Sequence, residues 1–163
     1  MHLLVIRHGI AEARVPHEDD ATRQLTRTGE RRIRGVARGL RALGWKLDRI
    51  LTSPWLRAAR TAELLEKLAK TEATTTELLA RSPTAELLAL ASESASTKKN
   101  HATAVVGHEP WLGELVGWLA FGDGRFGDGL GFKKGAVMWL EGNPTPGAMT
   151  LRGLLPPNVM RAL

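Results

Sequence analysis

Cysteine and tyrosine are both absent from this 163-residue chain, and Phe, Trp and Tyr together make up only 5% of it. Without cysteine, a disulfide framework, a thiolate metal site and a thiol nucleophile are all excluded. Long hydrophobic runs are missing as well. Near the start, Leu3-Leu4-Val5-Ile6 leads straight into Arg7 and His8, too short for a signal-peptide core or a membrane span. The expectation is a cytoplasmic protein with no membrane attachment. The 5 histidines show neither the i, i+4 pairing of a zinc helix nor nearby thiolates, so no metal and no cofactor is assigned.

What is present has the balance of an ordinary globular chain. Hydrophobic residues supply 43% and charged residues 25%, unlike a disordered sequence, and the length suits one domain over residues 1–163. The formal charge of +6 arises from 23 Lys and Arg against 17 Asp and Glu, a balance that invites anionic partners. Much of the excess lies between Arg27 and Arg49. There Arg31, Arg32, Arg34, Arg38 and Arg41 share a segment with Ile33, Val36, Ala37, Leu40 and Leu43, and the apolar set recurs at helical spacing. The arginines then form the wet face of an amphipathic helix. Docking of RNA or another polyanion is the rival reading of that face, but no aromatic residues interleave with the arginines to stack bases.

Strands and helices alternate along the chain. His2 to Arg7 reads as a buried strand ending at Gly9, and Thr26 or Thr28 caps the arginine helix, which closes near Gly44. Arg49 to Thr52 forms a second strand. Ser53 as cap and Pro54 in the first helical position start the next helix, with Leu56, Ala59, Ala62, Leu65 and Leu68 on one side and an end near Lys70. Thr74 to Leu79 gives a third strand, Thr84 to about Ala91 a helix, Ser92 to Asn100 a polar loop, and Ala102 to Val106 a fourth strand that stops at Gly107-His108. Pro110 opens a helix that turns Leu112, Leu115, Val116 and Leu119 inward. Gly135 to Glu141 and Ala148 to Arg152 close the pattern as a hairpin. The fold expected is an α/β three-layer sandwich, with a mostly parallel central sheet and helices on both faces. Gly122-Asp123-Gly124-Arg125-Phe126-Gly127 fits a dinucleotide fingerprint by letter, but it follows a helix and opens none, so it reads as a flexible loop.

In such sheets ligands gather at the carboxyl ends of strands. Three polar groups fall there: Arg7-His8-Gly9, Ser53-Pro54-Trp55-Leu56-Arg57 and Gly107-His108-Glu109-Pro110. Two histidines, two arginines and a helix start, with no carboxylate required among them, suit a phosphate dianion. Guanidinium neighbours disfavour a charged imidazole, so His8 stays neutral and nucleophilic. Arg60 lies one turn further on and is left out of the site. Glu12 and Glu109 are near it in sequence, but surface or capping contacts explain them equally well.

With these residues in place, Arg7-His8-Gly9 resembles the signature of the histidine phosphatase superfamily, the phosphoglycerate-mutase-like fold. Leu25-Thr26 with Gly29, Ser53-Pro54 with Leu56-Arg57-Ala58 and Thr61, and Gly107-His108-Glu109-Pro110 agree in order and placement. The compact length and the ending from Phe132 through Pro157 are similar to the small SixA-type phosphohistidine phosphatases. The resemblance implies a metal-independent phosphatase in which His8 is transiently phosphorylated, Arg7 and Arg57 clamp the phosphoryl oxygens and His108 donates to the same group. Many superfamily members resemble one another in a leaving-group acid after the third strand. Here that stretch is Leu79-Ala80-Arg81-Ser82-Pro83, with no acid in it, and Glu77 and Glu86 only flank it. The open site implied suits a phosphohistidine-bearing protein as substrate. A small-molecule phosphomonoesterase of the same fold and a non-catalytic polyanion- or RNA-binding module are the alternatives, and the oligomeric state is left open.

Overall fold

The computed structural model describes residues 1–93 and 101–163. Strand β1 (His2–Arg7) is followed by helix α1 (Arg27–Ala42), β2 (Arg49–Thr52), α2 (Leu56–Glu63), β3 (Thr74–Thr75), α3 (Ala85–Ser92), β4 (Ala102–Gly107), α4 (Trp111–Phe121), β5 (Val137–Gly142), β6 (Met149–Leu155) and α5 (Pro157–Met160). The sheet order is β3-β2-β4-β1-β5-β6. β1, β4, β2 and β3 run parallel, and β5 and β6 add the antiparallel part, as the α/β reading expects.

The alternation of side chains along each strand feeds two cores. Leu3, Val5, Val105, Met138 and Leu140 pack with α3 and α4 through Leu87, Leu88, Leu112, Leu115 and Leu119. Leu4, Ile6, Ile50, Val106 and Val137 pack on the other face with Ile33, Val36 and Leu40 of α1, Ala58 and Ala62 of α2, and Met160 of α5. Helices therefore cover both faces of the sheet. The arginines of α1 lie on its outer side: Arg31, Arg32, Arg34, Arg38 and Arg41 are all exposed.

Several boundaries differ from expectation, each for a local reason. Thr26 caps α1, its hydroxyl accepting from Gly29 N at 3.0 Å, and the turn at Gly44 has φ +83°. Leu43 falls past the last helical turn and is exposed rather than part of the apolar face. Ser53 does not cap α2. The helix starts at Leu56 after Trp55, and Ser53 is drawn into the site described below. It also stops at Glu63, with a 3-10 turn at Glu66–Leu68 taking the chain onward, so its buried side is Arg57, Ala58, Thr61 and Ala62 while Leu56 is exposed. The third strand is only Thr74–Thr75. A 3-10 turn over Glu77–Leu79, begun by the Thr76 hydroxyl accepting from Leu78 N, replaces the rest. The expected polar loop begins at Ser92, the last residue of α3, and its residues 94–100 lie outside the described residues.

The glycine-rich segment after α4 is not a flexible loop. Asp123 accepts from Arg125 N and opens a 3-10 helix over Gly124–Leu130, which packs against α4. A Cβ on Gly127 would come within 2.0 Å of the Gly113 carbonyl oxygen, so only hydrogen at that position permits the contact. Gly129 faces open space. We therefore expect Gly127→Ala to lower stability by about 1–3 kcal/mol through forced separation of the two helices, and Gly129→Ala to be near neutral. Urea unfolding of the two variants checks this.

Candidate active site

Strand register brings the three polar groups together. Arg7 lies opposite Gly107 on the neighbouring parallel strand, and Thr52 of β2 lies opposite Val106 of β4, so His8, Ser53 and His108 leave the sheet at one edge. Two close approaches fix the turn after β1. Gly9 N donates to Thr61 Oγ1 at 3.0 Å, and a Cβ on Gly9 would lie 2.8 Å from Ile33 Cγ1. A Cβ on Gly29 would lie 2.0 Å from the Ile10 carbonyl oxygen, which instead accepts from Thr26 N at 3.0 Å. Leu25, Thr26, Gly29 and Thr61 are thus the supports of the Arg7-His8-Gly9 turn.

The protonation of His8 follows from its partners. Nδ1 lies 2.7 Å from the Gly9 carbonyl oxygen, which only accepts, so Nδ1 carries the proton. Nε2 accepts from Arg57 Nε at 3.2 Å and therefore holds a lone pair directed into the site. Burial, with further repulsion from Arg57, Arg7 and Lys134, lowers the His8 pKa to about 3 despite the Gly9 hydrogen bond. Neutrality is expected from the sequence, but desolvation rather than guanidinium repulsion is its leading cause.

His108 lies beside His8, with ring centroids 5.1 Å apart. Its Nε2 is 2.9 Å from Ser53 Oγ, which also accepts from Trp55 N at 3.3 Å. The Ser53 hydroxyl proton is then free to point at Nε2, leaving the His108 proton on Nδ1, a buried atom without a partner among the described residues. Burial and the neighbouring His8 and Arg57 lower its pKa to about 3. Arg7 Nη1 donates to the Phe132 carbonyl, while its Nε is buried and unpartnered among the described residues. Both unpartnered donors belong to residues lining one cleft.

Arg57 is held from several sides. Its Nη2 donates to Asp20 Oδ2 at 2.7 Å, its Nη1 to the Asp20 carbonyl, and its guanidinium lies 4.7 Å from the centre of the Trp55 ring. Arg57 is only 3% exposed, so a charged neighbour is needed to offset its burial. Burial also opposes ionisation of Asp20, but hydrogen bonds from Arg23 and Arg57 outweigh it and keep that carboxyl below its ordinary value. Glu109 behaves oppositely. Burial raises its pKa although Gly113 N donates to Oε2 at 2.9 Å and Arg7 is near.

These residues line a cleft of about 450 Å³. Its lining carries Arg7, Arg14, Arg23, Arg57 and Lys134 together with Asp20 and Glu109, five cations and two carboxylates. All four residues expected in the site, Arg7, His8, Arg57 and His108, are therefore brought together. Two carboxylates join them: Asp20 pairs with Arg57, and Glu109 lines the cleft, whereas no residue from Leu79 to Pro83 does. Asp20, Arg23, Trp111 and Lys134 had no signal in the sequence beyond polarity or size; only the fold brings them to the cleft. Glu12 braces the loop instead, its Oε2 accepting from Gln24 N at 3.3 Å. Arg60 lies in a separate cleft of about 540 Å³, where it is paired with Glu30 and Glu63. Among the described residues no cluster of His, Asp and Glu is arranged to hold a metal ion.

Residues 3–82 match the family model of the histidine phosphatase superfamily, branch 1. An uncharacterized protein of Picosynechococcus sp. is 38% identical over 145 residues, 86% of this chain and 85% of that protein. The structure of the protein histidine phosphatase SixA complexed with tungstate superposes with a TM-score of 0.76 at 25% identity, covering 97% of this chain and 98% of the other. A phosphoserine phosphatase mutant from Entamoeba histolytica, solved with phosphoserine, shares the fold with a TM-score of 0.70 at 15% identity, covering 97% and 98% of the two chains.

The two buried imidazoles make stability depend on pH. In the unfolded chain each takes up a proton below about pH 6.5, whereas the folded protein resists doing so until about pH 3, so stability is full above pH 6.5 and falls as pH drops through that window. We expect the ring carbon-bound proton resonances of His8 and His108 to remain at neutral-imidazole positions from about pH 8 to about pH 4. An NMR titration with a midpoint near the ordinary histidine value for either ring would contradict the assignment.

Proposed function

The chain belongs to the histidine phosphatase superfamily, and from that premise we propose that it is a cytoplasmic, metal-independent phosphatase, a single domain over residues 1–163, acting on phosphohistidine of a protein. The observation that carries the reading is the His8 lone pair. Nε2 is unprotonated, buried and 3.2 Å from a guanidinium nitrogen, which suits a nucleophile facing a bound phosphoryl group. Nε2 bonds to phosphorus as the phosphorus–nitrogen bond of the substrate breaks, and the departing imidazole leaves neutral because its other ring nitrogen already carries a proton taken from solvent. Water oxygen then bonds to phosphorus, the bond to His8 breaks, and phosphate is released with the water proton going to solvent. Arg7, Arg57 and the Nδ1 proton of His108 neutralise charge on the phosphoryl oxygens in both steps. In doing so Arg57 turns hydrogen bonds from Nε2 of His8 toward the substrate.

Similarity to the SixA structure supports the phosphohistidine reading. No helix among the described residues is long and apolar enough to cross a membrane. A second reading, hydrolysis of phosphate esters, is favoured by one observation: Glu109 lies in the cleft and burial favours its protonated form, as a leaving-group acid requires.

One experiment separates these readings. With EDTA present, wild type is expected to cleave a phosphohistidine peptide faster than a phosphoserine peptide, and His8→Ala to lose activity on both by about 10³-fold or more. If Glu109 protonates leaving groups, Glu109→Gln lowers phosphoserine cleavage by about 10²–10⁴-fold while affecting phosphohistidine far less. Faster wild-type cleavage of phosphoserine would assign the ester reading. Failure to turn over any phosphate, with salt-sensitive binding of RNA, would point to the polyanion-binding module instead.

A further inference from the structure

Two of the five tryptophans meet at the cleft although no role in phosphate binding falls to them. Trp55 precedes α2 and Trp111 begins α4. Their ring centroids are 5.7 Å apart at an interplanar angle of 71°, and both contact His108, at 4.4 Å from Trp55 and 6.2 Å from Trp111. Both are half-buried, so part of each indole remains open to the cleft. The other residues lining the cleft are charged or are the histidines themselves.

An in-line displacement at phosphorus puts the leaving group on the side away from His8 Nε2. Trp55 and Trp111 are the apolar residues of the cleft lining, so a leaving group that gains apolar contact in the cleft gains it from the indole pair. A flat ring gains edge or offset contact with such a wall, whereas ammonia or a short alkyl group gains little. We infer that Trp111, backed by Trp55, is a specificity-determining residue that selects phosphoryl donors whose leaving group is a planar ring. This rests on the phosphatase reading and names the substrate class of the same site. Trp55 is the poorer test position, since it also packs on Arg57 and His108. Trp111 makes only ring contacts to Trp55 and His108 among the aromatic pairs and carries the test.

The test compares donors that differ in the ring but share the bond broken. Phosphoimidazole is paired with phosphoramidate, and phenyl phosphate with ethyl phosphate, and kcat/KM is measured for wild type, Trp111→Ala and Trp111→Phe. Because ratios between variants are read, the intrinsic reactivity of each donor cancels. The ring-bearing to ring-free ratio is expected to fall on the order of tenfold in Trp111→Ala and to be largely restored in Trp111→Phe. A fall in the nitrogen pair alone identifies imidazole as the ring, a fall in the ester pair alone identifies a phenol, and a fall in both identifies any planar ring. Unchanged ratios with active wild type would overturn this inference and leave the phosphatase reading standing. Wild type inactive on all four donors would overturn both.

Discussion

The hydrogen bond from His8 Nδ1 to the Gly9 carbonyl fixes which nitrogen of the ring is available, and the surroundings are arranged to keep it so. Gly9 is held by its close packing against Ile33 and by the hydrogen bond its N–H donates to Thr61 Oγ1, and that hydroxyl in turn donates to the Arg57 carbonyl at 2.7 Å. One short chain of contacts therefore couples the end of β1 to the first turn of α2. The same chain sets the His8 tautomer and carries Arg57 to within reach of Nε2. Burial completes the device by suppressing protonation of the ring.

Burying cations beside a neutral imidazole is costly unless their charge is answered. Asp20 supplies that answer for Arg57 and Arg23, with Arg23 Nε 2.8 Å from Oδ1, so the guanidinium is oriented before a substrate arrives. The cleft still has more cations than carboxylates among its lining residues, which leaves it attractive to a dianion. His108, neutral and with an unpartnered Nδ1, adds a donor without adding charge.

Much of this was legible before the fold was known, because the relevant signals are local. β1, β2 and β4 are short apolar runs, the cap at Thr26 lies three residues before Gly29, and Arg7, His8 and His108 sit where buried strands stop. Arg57 falls in a strand-end group by position, but its role comes only from the resemblance, since an arginine on the buried side of a helix contradicts simple amphipathicity. Ser-Pro is a strong helix-start signal, yet contact with His108, 55 residues away, claims the Ser53 hydroxyl. The carboxylate of Asp20 was invisible for the same reason: it meets Arg57 across 37 residues. The glycines after α4 read as freedom in sequence and serve close packing in the fold.

The central claim is that His8 attacks through Nε2. Rapid quenching at neutral pH or above during turnover, followed by phosphorus and nitrogen NMR of the His8 peptide, locates the transferred phosphate atom by atom. Phosphate on Nε2 of His8 is the predicted result. Phosphate on Nδ1, on another residue, or on none during steady turnover would contradict the account.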